Sequence, residues 1–523
     1  EYFHLTTPQQ NIWNLKKYYS NTAISNLCGA VFYEEKRDKY TLKKAVQTFI
    51  REQSAMRLRF VEETEVLQYI VEDIDEILFR SFKNRKELDL FAENLASTPM
   101  ELTEQSLYKI VIFEVEDRSG LLVLLNHLIA DAWTFGIMAN RVDALYRALV
   151  CGAEIDRKQG NYQEFIQGEK EYFLSQRYKK DDSFWNHKYA ELPVKNEIKA
   201  NICQRAGVEG KRYSCVLSGA LWEEMEQFCK DNFITPAVMF ELVLVLYLYK
   251  INDGNSMVTV GVPVLNRSSA RQRRIAGMFV ATLPLTVKIE ENMSVLEVAG
   301  TIAKEHGNLF RHMKYPYADI LKNIRTKHGM TDKMYDVMIS YQNAKTNAEG
   351  YTKWYANGCS ETPLILHIDN RDGNNCYTIN VDYQTSVFTE EAEIVHLMLR
   401  MRYILEQIVS GNRKQIADIQ IVPQREKVKL LEQWNDTYVR DEKWQSIAEL
   451  FEKQVEATPD KTALIYGDKQ YTYESLMKKV DQMVNFLDGK GVKKGDKIAV
   501  LLNRDEKVVI TQLAVLKAGA VFI

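Results

Sequence analysis

The chain has 523 residues, with 68 Lys and Arg against 71 Asp and Glu and a formal charge of −3. That length exceeds what one hydrophobic core organises, so about two to four domains are expected. The near balance of charge, with no basic block, leaves no electrostatic footprint for sequence-general nucleic-acid binding.

Seven cysteines (Cys28, Cys151, Cys203, Cys215, Cys229, Cys359 and Cys376) are odd in number, scattered and never spaced Cys-x-x-Cys. This points to a reducing compartment with buried or idle thiols, and away from a disulfide frame or a zinc site. The N-terminus has no basic-then-apolar signal pattern. The longest apolar run, Ala237 to Tyr249, is interrupted by Glu241 and is too short to span a bilayer. A soluble, cytoplasmic protein is expected.

In chain order, Pro8–Leu15 sets Trp13 among polar residues. Thr41 is read as the cap of a helix with Leu42, Ala45, Val46, Phe49 and Ile50 as its apolar stripe. Met56-Arg57-Leu58-Arg59-Phe60 alternates as the start of a strand. Leu121–Leu125 is a continuous apolar run, as in a strand buried on both faces, and Phe135, Met138, Val142, Leu145 and Leu149 follow at helical spacing. Asn126, His127 and Asp131 stand between the two, where a buried strand hands over to a helix. A charged helix then runs to Phe184-Trp185, and Leu192-Pro193 is a candidate boundary.

Thr235-Pro236 opens a core helix over Ala237–Tyr249. Met257–Val264 reads as a strand, Asn266–Arg274 as a basic loop, and Ile275–Pro284 as a further strand. Tyr315-Pro316-Tyr317 marks a turn, Tyr335–Asn343 a strand, and Thr389–Gly411 a closing helix. Residues 412–440 are polar and charged, and read as a linker. From about Gln445, helix, short strands at Ala463–Ile465 and Gln470–Tyr473, helix, Lys497–Leu502, helix and Gly519–Ile523 spell an α/β unit. It stops on a strand, and is expected to be a fragment.

A histidine near an aspartate, with no evident Ser or Cys partner, suits acid–base or positioning chemistry better than covalent catalysis. Asp131 could orient the His127 ring, or pair with an arginine and pin the loop. Spacing alone favours a satisfied core histidine, with Asp131 capping the next helix.

Taken together, residues 1–425 resemble the condensation domain of a non-ribosomal peptide synthetase. That family's His-His-x-x-x-Asp-Gly signature is matched by Asn126-His127-Leu-Ile-Ala-Asp131-Ala132. Six weaker motifs fall in family order: Gln10–Trp13, Met56–Phe60, Tyr162-x-Glu164-Phe165, Gly277–Thr282, Tyr315–Tyr317 and Asp336–Asn343. Trp434-Asn-Asp-Thr437 resembles the junction to an adenylation domain, and Tyr471–Leu476 and Leu516–Ala520 resemble that domain's first two motifs.

The resemblance implies an α/β (α+β) architecture of two chloramphenicol-acetyltransferase-like lobes in a V, at 1–175 and 176–425. A linker at 426–440 and a partial adenylation domain at 441–523, its ATP site incomplete, would follow. It implies an acyltransferase that binds no cofactor of its own and receives both substrates on the phosphopantetheine arms of upstream and downstream carrier domains. A downstream amine would attack an upstream acyl thioester to form an amide. His127, Asn126 and Asp131 take the catalytic positions, supported by Arg57, the motif partner of Asp131, and by Ala132 and Trp133. Trp133 is expected to pack against its lobe. Gly277, Thr282, Tyr315, Ser340, Gln342 and Arg267 are candidate tunnel or carrier contacts, with a solvated loop the simpler reading of Arg267–Arg274.

Three positions depart from the family pattern: Asn126 for the first motif histidine, Ala132 for the motif glycine, and Gly168 for a tryptophan. Two alternatives stand beside an elongating condensation domain. One is a starter domain that acylates the first amino acid with a fatty acyl group. The other is a silent platform that docks carrier and adenylation domains. The adenylation start argues against an epimerisation domain, and the Trp434–Thr437 junction against a free acyltransferase.

Overall fold

The computed structural model describes the chain outside residues 155–159, 201–206, 330–331, 343–344, 346–349, 372, 374, 412–413 and 439–445. Cys203, Asn343 and the expected join at 440–441 lie outside the described residues. Two units are distinguished, Glu1–Glu426 and Lys427–Ile523.

In the first unit, strand Arg118–Asn126 lies inside a five-stranded sheet, antiparallel to Asn26–Tyr33 on one side and Tyr108–Val115 on the other. Alternate side chains leave it in opposite directions, and both faces are covered. Leu121, Val123 and Leu125 join a core with helices Lys39–Glu52 and Ala132–Cys151, while Leu122 and Leu124 join another with helix Arg85–Ala96. This double burial explains the unbroken apolar run.

A second, six-stranded sheet has the spatial order Ala281–Lys288, Met257–Val264, Val337–Gln342, Leu364–Asp369, Cys376–Gln384, Gly210–Ser218. Helix Pro236–Ile251 is buried nearly throughout, with Thr235 accepting from the Val238 amide. Its one acidic residue, Glu241, meets His306 at 2.5 Å, so the charge in the apolar run has a partner. No single helix among the described residues is long and apolar enough to cross a membrane.

Two segments from the second half of this unit complete the first half. Strand Gly350–Tyr355 adds to the edge of the five-stranded sheet, pairing Gly350 with Tyr33 through Tyr355 with Cys28. Ile275, Ala276 and Phe279, between two strands of the six-stranded sheet, are buried in the core around the strand Arg118–Asn126. The Phe279 ring packs on Phe165 at 4.2 Å and on Tyr162 at 5.3 Å. The Tyr162 hydroxyl donates to the Met278 carbonyl at 2.6 Å, and the Ala276 amide donates to Gln53 Oε1 at 2.8 Å.

These contacts correct the expected strand over Ile275–Pro284, which begins only at Ala281. The residues before it spend their hydrogen bonds on side chains of the first half and not on a ladder. The cap expected at Thr41 also moves: Asp38 accepts from the Thr41 amide, and the helix starts at Lys39. Tyr317, expected in a turn, opens helix Tyr317–His328.

The second unit has its own small core, of Leu476, Val480, Leu487, Ile510, Ala514, Val515 and Ala520. Helices Ile447–Ala457, Tyr473–Gly489 and Glu506–Lys517 surround it, with a hairpin of Thr462–Tyr466 and Lys469–Thr472 and a short parallel pair of Lys497–Ile498 and Val521–Phe522. The α/β reading holds.

Gly277 is a close approach in the segment Ile275–Phe279. Its φ is +152°, and a Cβ there would lie 2.3 Å from the Tyr162 ring. Gly277→Ala is expected to cost about 2–4 kcal/mol of stability from combined backbone strain and overpacking, measured by urea unfolding of the purified chain.

Candidate active site

The corner after Asn126 is shaped by the hydrogen bonds of a chain that stops being a strand. The Asn126 side chain is turned inward and fully buried: Nδ2 donates to Ser25 Oγ at 2.9 Å and Oδ1 accepts from the Leu128 amide at 3.0 Å. The His127 amide donates to the Ser25 carbonyl at 2.7 Å. The expected catalytic placement of Asn126 is corrected on this geometry: both ends of its amide are engaged in bracing the turn.

His127 is held differently. Its Nδ1–H donates to the Ala130 carbonyl at 3.1 Å, which assigns the lone pair of the neutral ring to Nε2. Burial lowers the imidazole pKa from its ordinary value, and the opposing pull of the Asp131 charge and the Ala130 carbonyl does not reverse it. The ring is therefore neutral near pH 7 and can accept a proton.

Asp131 caps helix Ala132–Cys151, its Oδ1 accepting from the Thr134 amide at 2.9 Å. It also forms an ion pair, but not with Arg57. Arg267 approaches with Nη1 at 2.6 Å from Oδ2 and Nη2 at 3.1 Å from Oδ1, both side chains all but fully buried. Phe279 adds its amide to Oδ2 at 3.2 Å, and the guanidinium lies 4.1 Å above the Phe279 ring. Burial alone would raise the Asp131 pKa. The charge and hydrogen bonds of Arg267 outweigh it and hold the carboxyl below its ordinary value.

Arg57 instead donates to the Val71 carbonyl at 2.9 Å and pairs with the exposed Glu72 at 3.2 Å. The reading of Arg267 as part of a solvated or carrier-facing loop is corrected with it. Arg267 is buried, while Arg271, Arg273 and Arg274 remain exposed. With Asp131 saturated by Thr134, Arg267 and Phe279, it pins the loop, and the Ala130 carbonyl orients the ring.

A cavity of about 370 Å³ opens beside the corner, within the range of small-molecule sites. His127, Asp131, Ala132 and Trp133 line it, as do Thr282, Ser340 and Gln342. Trp133 also donates from Nε1 to the Arg273 carbonyl at 2.9 Å, so it both packs and faces the cavity. Tyr315 is not brought here. Its buried ring stacks on Tyr178 at 5.3 Å, and its hydroxyl donates to Asp182 Oδ1 at 2.5 Å. Gly277 belongs to the crossing segment, bonded through both its N–H and its carbonyl to Thr134 Oγ1.

The two walls of the cavity differ. Ile12, Leu15, Ile24 and Leu27 make one side apolar. The six-stranded sheet presents Arg212, Asp382, His367, Gln342, Ser340 and Thr282 on the other, among the apolar Pro263, Met338 and Ile365. Arg212 grips Asp382 in a fork at 2.6 and 2.7 Å. Burial would raise Asp382, but hydrogen bonds from Arg212, joined by His367, hold it far below the usual carboxylate range. Sequence reasoning missed Arg212, His367 and Asp382. The apolar–polar alternation of Leu366-His367-Ile368-Asp369 was the available signal for a polar face on this strand.

A family model described as Condensation domain matches residues 1–431, and one described as AMP-binding enzyme matches residues 451–523. This chain belongs to the condensation-domain family. The domain is of the non-ribosomal peptide synthetase kind, with the start of an AMP-binding domain covalently attached. It is 29% identical to surfactin synthase subunit 1 of Bacillus subtilis (strain 168) over all of this chain and 15% of that one. To bacitracin synthase 3 of Bacillus licheniformis it is 23% identical, over all of this chain and 8% of that protein. The chain thus spans only 15% or less of the length of either relative.

Among solved structures, the starter condensation domain of rhizomide synthetase in complex with C8-CoA superimposes with a TM-score of 0.71 at 18% identity. That match covers 80% of this chain and 97% of that one. A four-domain nonribosomal peptide synthetase bound to AMP and glycine gives a TM-score of 0.77 at 15% identity, over all of this chain and 41% of its own. The fold is therefore that of condensation domains. The reaction of such domains is amide formation by acyl transfer.

If His127 is the proton acceptor, its neutral form must persist as pH falls. Its lowered value places the loss of the neutral form below the ordinary imidazole midpoint of about 6.5. An NMR titration, with the His127 signal assigned by its disappearance in His127→Gln, should give a midpoint below about 6.5; a midpoint at or above it contradicts the burial argument.

Proposed function

We propose that this condensation domain joins a carrier-bound acyl thioester to the amine of a second carrier-bound aminoacyl group. The amine nitrogen attacks the thioester carbon, the C–S bond breaks as the amide C–N bond forms, and the leaving thiolate takes a proton. The observation that carries the reading is His127: a neutral ring on the cavity wall, with Nδ1 committed to Ala130 and the lone pair on Nε2. It accepts the proton that the amine loses on attack and can return it to the departing sulfur. Thioesters react readily with amines, so holding the two arms in register supplies much of the rate.

The carrier domains and their phosphopantetheine arms are the partners this reading requires. Asn126 takes no part in proton transfer, and Ala132 contributes wall. A starter domain, with a fatty acyl donor, is the second reading. It is favoured by the apolar wall of Ile12, Leu15, Ile24 and Leu27. The silent platform gains nothing from Asn126, because that side chain braces the turn.

Single-turnover condensation between pre-loaded donor and acceptor carriers, followed by mass spectrometry, tests the proposal. Wild type should form the amide, and His127→Ala should fall by about 10²–10⁴-fold, the usual worth of a positioned proton acceptor. Asn126→His should bring no gain. Running octanoyl beside aminoacyl donors separates the starter from the elongating reading. Amide formed equally by wild type and His127→Ala would overturn the assignment of the base.

A further inference from the structure

The polar wall holds a row of side chains whose hydrogen-bond directions follow from chemistry alone. Arg212 has only donors and gives two of them to Asp382. An ionised Asp382 only accepts, so the His367 Nε2, 3.3 Å from Oδ2, carries a hydrogen. The other ring nitrogen, Nδ1, faces Gln342 Nε2 at 3.4 Å. The other hydrogen of that amide is directed at Ser340 Oγ, 3.5 Å away.

These last two contacts are long; they orient the group more than they hold it. Both amide hydrogens are nevertheless placed. The amide nitrogen is the end that faces both partners, so Oε1 is directed away from the row. The oxygen is what remains. It accepts a hydrogen bond from no described residue, and Gln342 lines the same cavity as His127.

The register explains why these residues meet. Ser340 pairs with His367 across adjacent parallel strands, and Arg212 pairs with Asp382 across adjacent antiparallel ones. Residues two apart share a face, which brings Gln342 to the side of Ser340. The Arg212–Asp382 pair is only partly buried, and the row it starts ends in one acceptor that no described residue engages.

We infer that Gln342 is a positioning residue for the acceptor: its Oε1 takes an N–H of the attacking amine, and the Arg212–Asp382–His367 row aims that oxygen. The inference rests on the condensation reading above, which supplies the amine. It adds the group that turns the amine within the cavity and favours acceptors that present an N–H. The N–H of a pantetheine amide has the same chemistry, and the test separates the two sources.

Calorimetric binding compares the alanyl amide of aminopantetheine with its isobutyryl amide, in which a methyl replaces the amine on the same arm. Wild type should prefer the alanyl compound about tenfold, the worth of one charge-assisted hydrogen bond. Gln342→Leu should bring the ratio close to one with the isobutyryl affinity unchanged. His367→Phe should lower the ratio, and Gln342→Glu, which keeps an acceptor oxygen, should retain it. Thermal unfolding of each variant verifies the fold.

A Gln342→Leu variant that keeps the preference, or that loses affinity equally for both compounds, overturns the assignment; equal loss would point to the arm's amide. Amide formation by wild type is scored in the same preparations. A wild type that condenses while its ratio does not depend on Gln342 therefore defeats this inference and leaves the condensation reading standing.

Discussion

The buried pair of Asp131 and Arg267 is the contact on which the rest of the first unit depends. Asp131 ends the turn that carries His127 and starts the helix behind it. Arg267 comes from the loop after strand Met257–Val264, in the other half of the unit. Their two hydrogen bonds, with the Phe279 amide on the same carboxylate, fasten the segment Ile275–Phe279 to the His127 corner. Two charges taken out of water are unfavourable apart and tolerable only together. The pair therefore acts as a condition on the fold: the corner is formed when the halves are joined.

The cavity follows from that joining. One half offers helix Thr7–Tyr18 and the strand Asn26–Tyr33, with Ile12, Leu15 and Leu27; the other offers a sheet face whose paired charges and amides stand among Pro263, Met338 and Ile365. In the proposed reaction an acyl chain and a hydrogen-bonding amine differ in the same way. Selectivity in such a site comes from a few fixed polar atoms against a shaped apolar surface. His127 supplies the basic nitrogen of the proposed reaction, and burial lowers its affinity for a proton.

Much of this was legible in the sequence. The switch from Leu121–Leu125 to Asn126, His127 and Asp131 located the corner, because a doubly buried strand and an amphipathic helix leave different periodicities. Thr235-Pro236 marked its helix, and the order of short strands and helices after residue 445 gave the class of the second unit. The partner of Asp131 was not legible. It lies 136 positions away, in a run with Arg271, Arg273 and Arg274 that reads as uniformly solvated. Only burial, which depends on the crossing, sets Arg267 apart from them. Strand Gly350–Tyr355 was hidden for a related reason: its pairing partner precedes it by more than 300 residues, and its own alternation is weak. Asn126 misled through position, since a motif place says where a residue stands in the chain and not which way its side chain turns.

A double-mutant cycle on the pair, read in both stability and amide-forming rate, tests the account most directly. Asp131→Asn keeps the helix cap but strands a buried guanidinium, and should cost about 3–5 kcal/mol with a parallel loss of rate. Adding Arg267→Met removes that stranded charge, so the double variant should recover most of the stability, with a coupling of about 2 kcal/mol or more. Costs that simply add, or an Asp131→Asn variant as stable as wild type, would show that the two halves and the His127 corner are held together by something else.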